Sequence, residues 1–265
     1  MGRMQNQVAW ISGAARGIGA GAAKVFAEEG ASVLLADVNA SEGEELVGEL
    51  TAKGHKALFV KCDVTCATDV QQSIKAAVDT FGGLHILVNN AAIVDVGMLH
   101  EADESTWTQV IDTNVKSIYY SLKYAFAQLE KNEQSYIVNV GSISSLVAQD
   151  RTPIYSTTKG AVLQLTRSIA VDYARYGIRC NCVCPGITDT PLLRSHIESL
   201  HDPEEHLAIR LRRVPLNRIL TPHDIGKSIL YFSCEDSAGV TGTSVIVDGG
   251  YLAAAEWNAA DAKDN

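Results

Sequence analysis

The chain has no run of 18 apolar residues, so no segment is expected to cross a membrane. It has no surplus of positive charge: 22 Lys and Arg stand against 31 Asp and Glu, for a formal net charge of -9. That balance argues against nucleic acid or an anionic membrane as partner. No basic arm and no interleaving of aromatic with basic residues offsets it. Residues 1–8 contain no apolar signal core, which makes a cytoplasmic location the expectation. Repeats and low-complexity tracts are also missing. Without a secretion signal, the six cysteines read as reduced thiols. Cys180, Cys182 and Cys184 alternate along an apparent strand and so face one side. Small apolar residues turned to a core account for them better than a metal or redox cluster. Cys62, Cys66 and Cys234 have no ligand spacing.

What is present is an even rhythm. At 46% apolar and 20% charged residues the composition is that of a soluble globule, and 265 residues suffice for one large α/β domain. Strand-like runs fall at 8–11, 32–36, 57–60, 86–88, 137–140, 178–183 and 244–247, with helical periodicity between them, as at 19–28, 41–52 and 67–81. Such alternation means βαβ units and a parallel sheet covered on both faces. Right-handed crossovers then predict a single-domain, doubly wound Rossmann fold with a seven-stranded parallel sheet spanning residues 1–265. Residues 185–220 are too long for a simple crossover, and the insertion at about 188–220 reads either as a lid beside a site or as a solvated helical pair. The alanine-rich tail, 252–265, is expected to form a surface arm, either free or lying on a neighbouring subunit.

In open α/β sheets ligands bind outside the carboxyl ends of the strands. Gly13, Asp37, Asp63, Asn90, Ser142 and Gly186 follow the first six strands in turn. The first turn reads Ser12-Gly13-Ala14-Ala15-Arg16-Gly17-Ile18-Gly19. Its glycines would let a phosphate approach the backbone, and the following helix N-terminus favours the negative charge. The spacing Gly-x3-Gly-x-Gly is not the usual dinucleotide fingerprint. Asp37, about twenty residues on, suits the two hydroxyls of an adenine ribose and would repel a 2′-phosphate. NAD(H) is therefore expected over NADP(H), with Arg16 the one residue able to soften the preference.

Tyr155 and Lys159 stand four apart in a helical stretch and share a face. An ammonium beside a phenol is expected to lower the phenol's pKa toward the range where it exchanges protons near neutrality. Ser142, ending an apolar run, can hydrogen-bond the same substrate oxygen. An acid, a tuner and a donor make a site for oxidising an alcohol or reducing a carbonyl. The spacing proves little by itself, because Tyr119 and Lys123 share it with no serine-ended strand upstream.

Together these residues resemble the classical short-chain dehydrogenase/reductase family over about residues 8–251. The motifs are SGAARGIG at 12–19, CDV at 62–64, NNAA at 89–92, Asn114, Ser142, YSTTK at 155–159, PG at 185–186 and VDGG at 247–250. Two positions depart from the family: Ser12 replaces the usual threonine and keeps the hydroxyl, and Ala92 replaces a usual glycine. The resemblance implies that Tyr155 is the acid/base, that Ser142 positions the substrate oxygen, and that Lys159 holds the nicotinamide ribose. It implies that Asn114 holds a water linking Lys159 to solvent. The cofactor, NAD, would be contacted by Gly13, Arg16, Gly17, Ile18, Gly19, Asp37, Asp63, Val64, Asn90, Tyr155, Lys159, Thr188 and Thr190. A small alcohol or ketone substrate and a homotetramer are further implications. Polar loops bearing Gln149, Asp150, Arg151 and His196 favour a sugar or polyol, and Leu192 and Leu193 keep a cyclic alcohol in play. Arg151 and Arg194 read equally as carboxylate acceptors or solvated charges. A 3-oxoacyl-carrier-protein reductase-like enzyme and a non-catalytic NAD(H)-binding regulator are the competing readings.

Overall fold

A computed structural model of the chain describes residues 2–198 and 201–254. Seven parallel strands form one sheet in the order β3-β2-β1-β4-β5-β6-β7. They are β1 (Val8–Ser12), β2 (Ser32–Asp37), β3 (Ala57–Lys61), β4 (Ile86–Asn89), β5 (Ser135–Val140), β6 (Ile178–Pro185) and β7 (Ser244–Val247). The predicted runs fall on all seven and err only at the ends. The chain winds outward from β1 to β3, then returns to pair β4 with the other edge of β1. That reversal opens the crevice where a ligand binds in such sheets.

The helices are α1 (Gly17–Glu28), α2 (Ala40–Ala52), α3 (Ala67–Phe81), α4 (Glu104–Ile111), α5 (Ser117–Leu129), α6 (Pro153–Tyr173), α7 (Pro191–Glu198), α8 (Pro203–Arg212) and α9 (Pro222–Phe232). The strands alternate their side chains between two apolar layers, as period 2 requires. Ala9, Ile11, Val33 and Leu35 pack with Phe26, Leu46 and Ile229. Val8, Trp10, Leu34 and Ala36 pack with Ile74, Leu122 and Leu163. Cys180, Cys182 and Cys184 all enter this second layer, and burial pushes the Cys180 thiol away from the thiolate. They are core residues on one strand face.

The long segment after β6 forms α7 and α8. Among its described residues only Ile197 is buried in α7 and none in α8. Asp202 caps α8 by accepting from the Glu205 amide at 3.1 Å. Arg194 pairs with Asp189 at 2.8 Å, and Arg151 lies 3.7 Å from Glu101. Most of the expected C-terminal arm, residues 255–265, lies outside the described residues.

Candidate active site

All seven strands end on one side of the sheet, and the glycine turn sits there between β1 and α1. Gly13 and Gly17 have φ of +62° and +58°, a left-handed backbone that glycine adopts without strain. A Cβ on Gly19 would stand 2.1 Å from the Gly13 carbonyl oxygen. The Ser12 hydroxyl accepts from the amides of Asn90 (3.0 Å) and Ala91 (3.1 Å), stapling the ends of β1 and β4. Asn90 Nδ2 donates to the carbonyls of Ser12 and Gly13, both at 2.9 Å, so its amide braces the turn. Arg16 precedes α1 and offers its first turn no side-chain cap. The orphan N–H groups of that turn, in a bed too tight for a side chain, fit a phosphate.

Asp37 ends β2 and accepts from the amides of Ala15 (3.0 Å) and Asn39 (2.9 Å). Each carboxylate oxygen keeps acceptor capacity for a ribose hydroxyl. Arg16 turns toward α2, with its guanidinium 3.8 Å from Glu42. Ile18 packs against the first apolar layer. Asp63 accepts from the Thr65 amide at 2.9 Å, and Val64 is buried in the second layer. Thr188 and Thr190 follow β6; both are buried. A Cβ on Gly17 would lie 3.5 Å from Thr190, which brings Thr190 to the glycine turn. The residues present therefore fit a dinucleotide.

Tyr155 lies in the first turn of α6 and Lys159 one turn later. Ser142 follows β5, and its hydroxyl accepts from the Ser144 amide at 3.0 Å. Lys159 is 3% exposed, and its Nζ donates to the Val140 carbonyl at 2.8 Å. It lies 5.6 Å from the centroid of the Tyr155 ring. The expected tuning runs the other way. Burial pushes the Tyr155 phenol up to about 12, with the Ser142 hydroxyl pulling it partway back. Burial brings Lys159 down to about 8. Desolvation opposes the charged form of both groups and outweighs their proximity. The other Tyr-x3-Lys pair is a surface contact, with Lys123 donating to the Tyr119 hydroxyl at 3.1 Å.

Asn114 sits in a π-helical turn, Asp112–Lys116, between α4 and α5. Such turns collect at functional sites. Its side chain clamps Ile93, accepting from the amide and donating to the carbonyl, both at 2.9 Å. It also donates to the Thr158 hydroxyl at 3.0 Å, next to Lys159. Sequence reading did not single out Thr158, Ser144 or Asp95. Thr158 lies inside the quoted YSTTK motif, but the partners of all three are set by the fold.

A doubly wound sheet with serine, tyrosine and lysine beside a phosphate-fitting turn defines an oxidoreductase. The family described as "Enoyl-(Acyl carrier protein) reductase" matches residues 13–252. A Thermotoga maritima protein named "Uncharacterized oxidoreductase" is 41% identical, covering 94% of this chain and 98% of its own. The "2-(S)-hydroxypropyl-CoM dehydrogenase 3" of Xanthobacter autotrophicus is 36% identical, covering 95% and 98%. The solved aldohexose dehydrogenase of Thermoplasma acidophilum is similar in structure, with a TM-score of 0.87 at 31% identity, covering 96% of this chain and 97% of that one. The chain belongs to the short-chain dehydrogenase/reductase family.

Proposed function

We propose that the protein is an NAD(H)-dependent dehydrogenase that interconverts a secondary alcohol and a ketone on a small hydroxylated substrate such as a sugar, polyol or cyclic alcohol. The observation that carries this reading is the grouping of Ser142, Tyr155 and Lys159 around the ends of β5 and α6, on the same sheet edge as the glycine turn. Ser142 and Tyr155 are suited to hold one oxygen, which favours C–O chemistry over reduction of a C=C bond. Hydroxylated substrates are supported by the aldohexose dehydrogenase among the structural relatives. The acid Asp37, with Glu42 beside Arg16, favours NAD(H).

In the oxidation direction Tyr155 phenolate takes the hydroxyl proton, and Ser142 holds the oxygen as charge develops. The bound nicotinamide supplies the hydride acceptor. In reduction the Tyr155 phenol returns the proton. Lys159 would hold the ribose, and Asn114, whose side chain clamps Ile93, would hold the water that links Lys159 to solvent. The enzyme works in the cytoplasm as a homotetramer.

Absorbance at 340 nm with NAD+ and NADP+, against sugars, polyols, cyclic alcohols and hydroxy acids, tests the reading. Turnover of one group with NAD+ is expected, with kcat/KM for NADP+ well below that for NAD+. Equal kcat/KM for the two would remove the Asp37 argument. Tyr155→Phe should nearly abolish turnover while NADH still binds. Silence across the panel with tight NADH binding would favour the regulator reading.

A further inference from the structure

The helix that carries Tyr155 starts without the cap its sequence offers. Pro153 takes the first helical position of α6, and Thr152 precedes it as N-cap. An N-cap side chain normally accepts from the amide two or three residues on. Thr152 does not: its hydroxyl donates to the Gln149 carbonyl at 3.3 Å. That leaves the amides of Ile154 and Tyr155 without a Thr152 cap, and the second of them finds another acceptor. It donates instead to Asp95 Oδ1 at 3.0 Å, from a residue 60 positions upstream in the loop after β4.

The same loop takes hold of the other end of that residue. The Tyr155 carbonyl accepts from the Thr158 hydroxyl at 2.7 Å. That hydroxyl accepts from Asn114, which clamps Ile93, two residues before Asp95. On the far side of Asp95, Gly97 donates its amide to the Arg151 carbonyl at 2.8 Å. Arg151 has φ of +55°, a strained backbone for an arginine just ahead of α6. The loop is thus tied to the start of α6 at three places, with Asp95 in the middle.

We propose that Asp95 is a positioning residue for Tyr155, a cap delivered from across the cleft that fixes the tyrosine's backbone and hence the placing of its phenol. A carboxylate suits the place, because a helix N-terminus attracts negative charge and a charged acceptor makes the stronger bond. The link also couples the loop after β4 to the phenol, so that a shift in one displaces the other. The consequence for turnover rests on the acid/base role proposed for Tyr155; the cap itself does not.

The test compares full-length wild type, Asp95→Ala and Asp95→Asn, each carrying meta-fluorotyrosine, with the Tyr155 fluorine resonance assigned through Tyr155→Phe. In Asp95→Ala the Tyr155 resonance should shift and broaden, and amide exchange in residues 153–158 should rise roughly tenfold. The Tyr119 resonance and the NADH dissociation constant should stay as in wild type. Asp95→Asn, whose amide oxygen accepts the same bond, should restore both signals. On the panel alcohol turned over fastest, Asp95→Ala should lower kcat by roughly tenfold with the KM for NAD+ within about twofold. An unchanged resonance and exchange rate in Asp95→Ala would overturn the proposal. So would Asp95→Asn matching Asp95→Ala, since the hydrogen bond to the Tyr155 amide would then not be what places the tyrosine, or changes spreading to Tyr119. If Asp95→Ala does not fold, Asp95→Leu keeps the bulk without the acceptor and takes its place. Absence of turnover in wild type would sink the dehydrogenase reading, while fluorine and exchange signals still decide the cap.

Discussion

Lys159 puts an ammonium where burial disfavours one, and its pKa of about 8 against an ordinary 10.5 measures the conflict. The folded pKa is depressed, so the fold gains stability as pH rises from about 8 through 10.5 and is penalised below that window. At pH 7 the penalty is roughly 3 kcal/mol. Lys159→Met should therefore raise the melting temperature at neutral pH, net of about 1 kcal/mol for the lost bond to Val140. The same substitution should lose turnover, as the proposed ribose contact requires. A calorimetric scan showing a lower melting point would mean that the lysine stabilises the fold. The Tyr155 phenol makes a second prediction. With a pKa pushed up to about 12, it is protonated at neutral pH. Reduction uses that form and should be flat through neutrality, whereas oxidation uses the phenolate and should gain about tenfold in kcat/KM per pH unit. A flat oxidation profile between about pH 6 and 9 would assign the proton to another group. The grouping of Tyr155, Lys159 and Ser142 was legible from residue type and order. The direction of the pKa shifts was not, because desolvation depends on what surrounds a group in space.

At the scale of elements, the β1–α1 turn separates two ways a glycine can be required. Gly17 has a left-handed backbone, but a Cβ there meets nothing nearer than 3.5 Å. Gly17→Ala should lower stability by about 1–2 kcal/mol through backbone strain alone. At Gly19 a Cβ would overlap the Gly13 carbonyl at 2.1 Å and Asn90 Nδ2 at 2.7 Å. Gly19→Ala must move the turn, and should lower both the melting temperature and NADH affinity by more than Gly17→Ala lowers stability. Thermal melts with NADH fluorescence titrations check the order; equal effects would mean that the turn yields freely. The spacing of these glycines marked the turn but could not rank them. Strand positions were readable because buried parallel strands are continuous apolar runs. Within the long segment after β6, α8 was ambiguous because none of its described residues is buried and no strong apolar stripe marks it.

For the whole molecule, the faces of α5 and α6 turned away from the sheet carry apolar surface. Val171 on α6 is 80% exposed and Tyr119 on α5 is 54% exposed. The proposed homotetramer would cover such residues, as large apolar groups at an interface are covered. Light scattering should then give about four times the chain mass of 28.4 kDa. Val171→Asp should shift it to smaller species without loss of the folded chain. A monomer in the wild type would remove the assembly from the reading.

Local chemistry in the chain determined the parallel seven-stranded sheet, the edge on which a ligand binds, the phosphate-fitting turn and the Ser142, Tyr155 and Lys159 set. Each depends on periodicity, on glycine's backbone or on the order of residues after strands. Only the tertiary structure decided which Tyr-x3-Lys pair has a buried lysine, that Asn114 clamps Ile93, and that Asp95 takes the amide of Tyr155. These partners are brought together by βαβ crossovers, so their contacts span 21 to 60 residues and leave no local pattern.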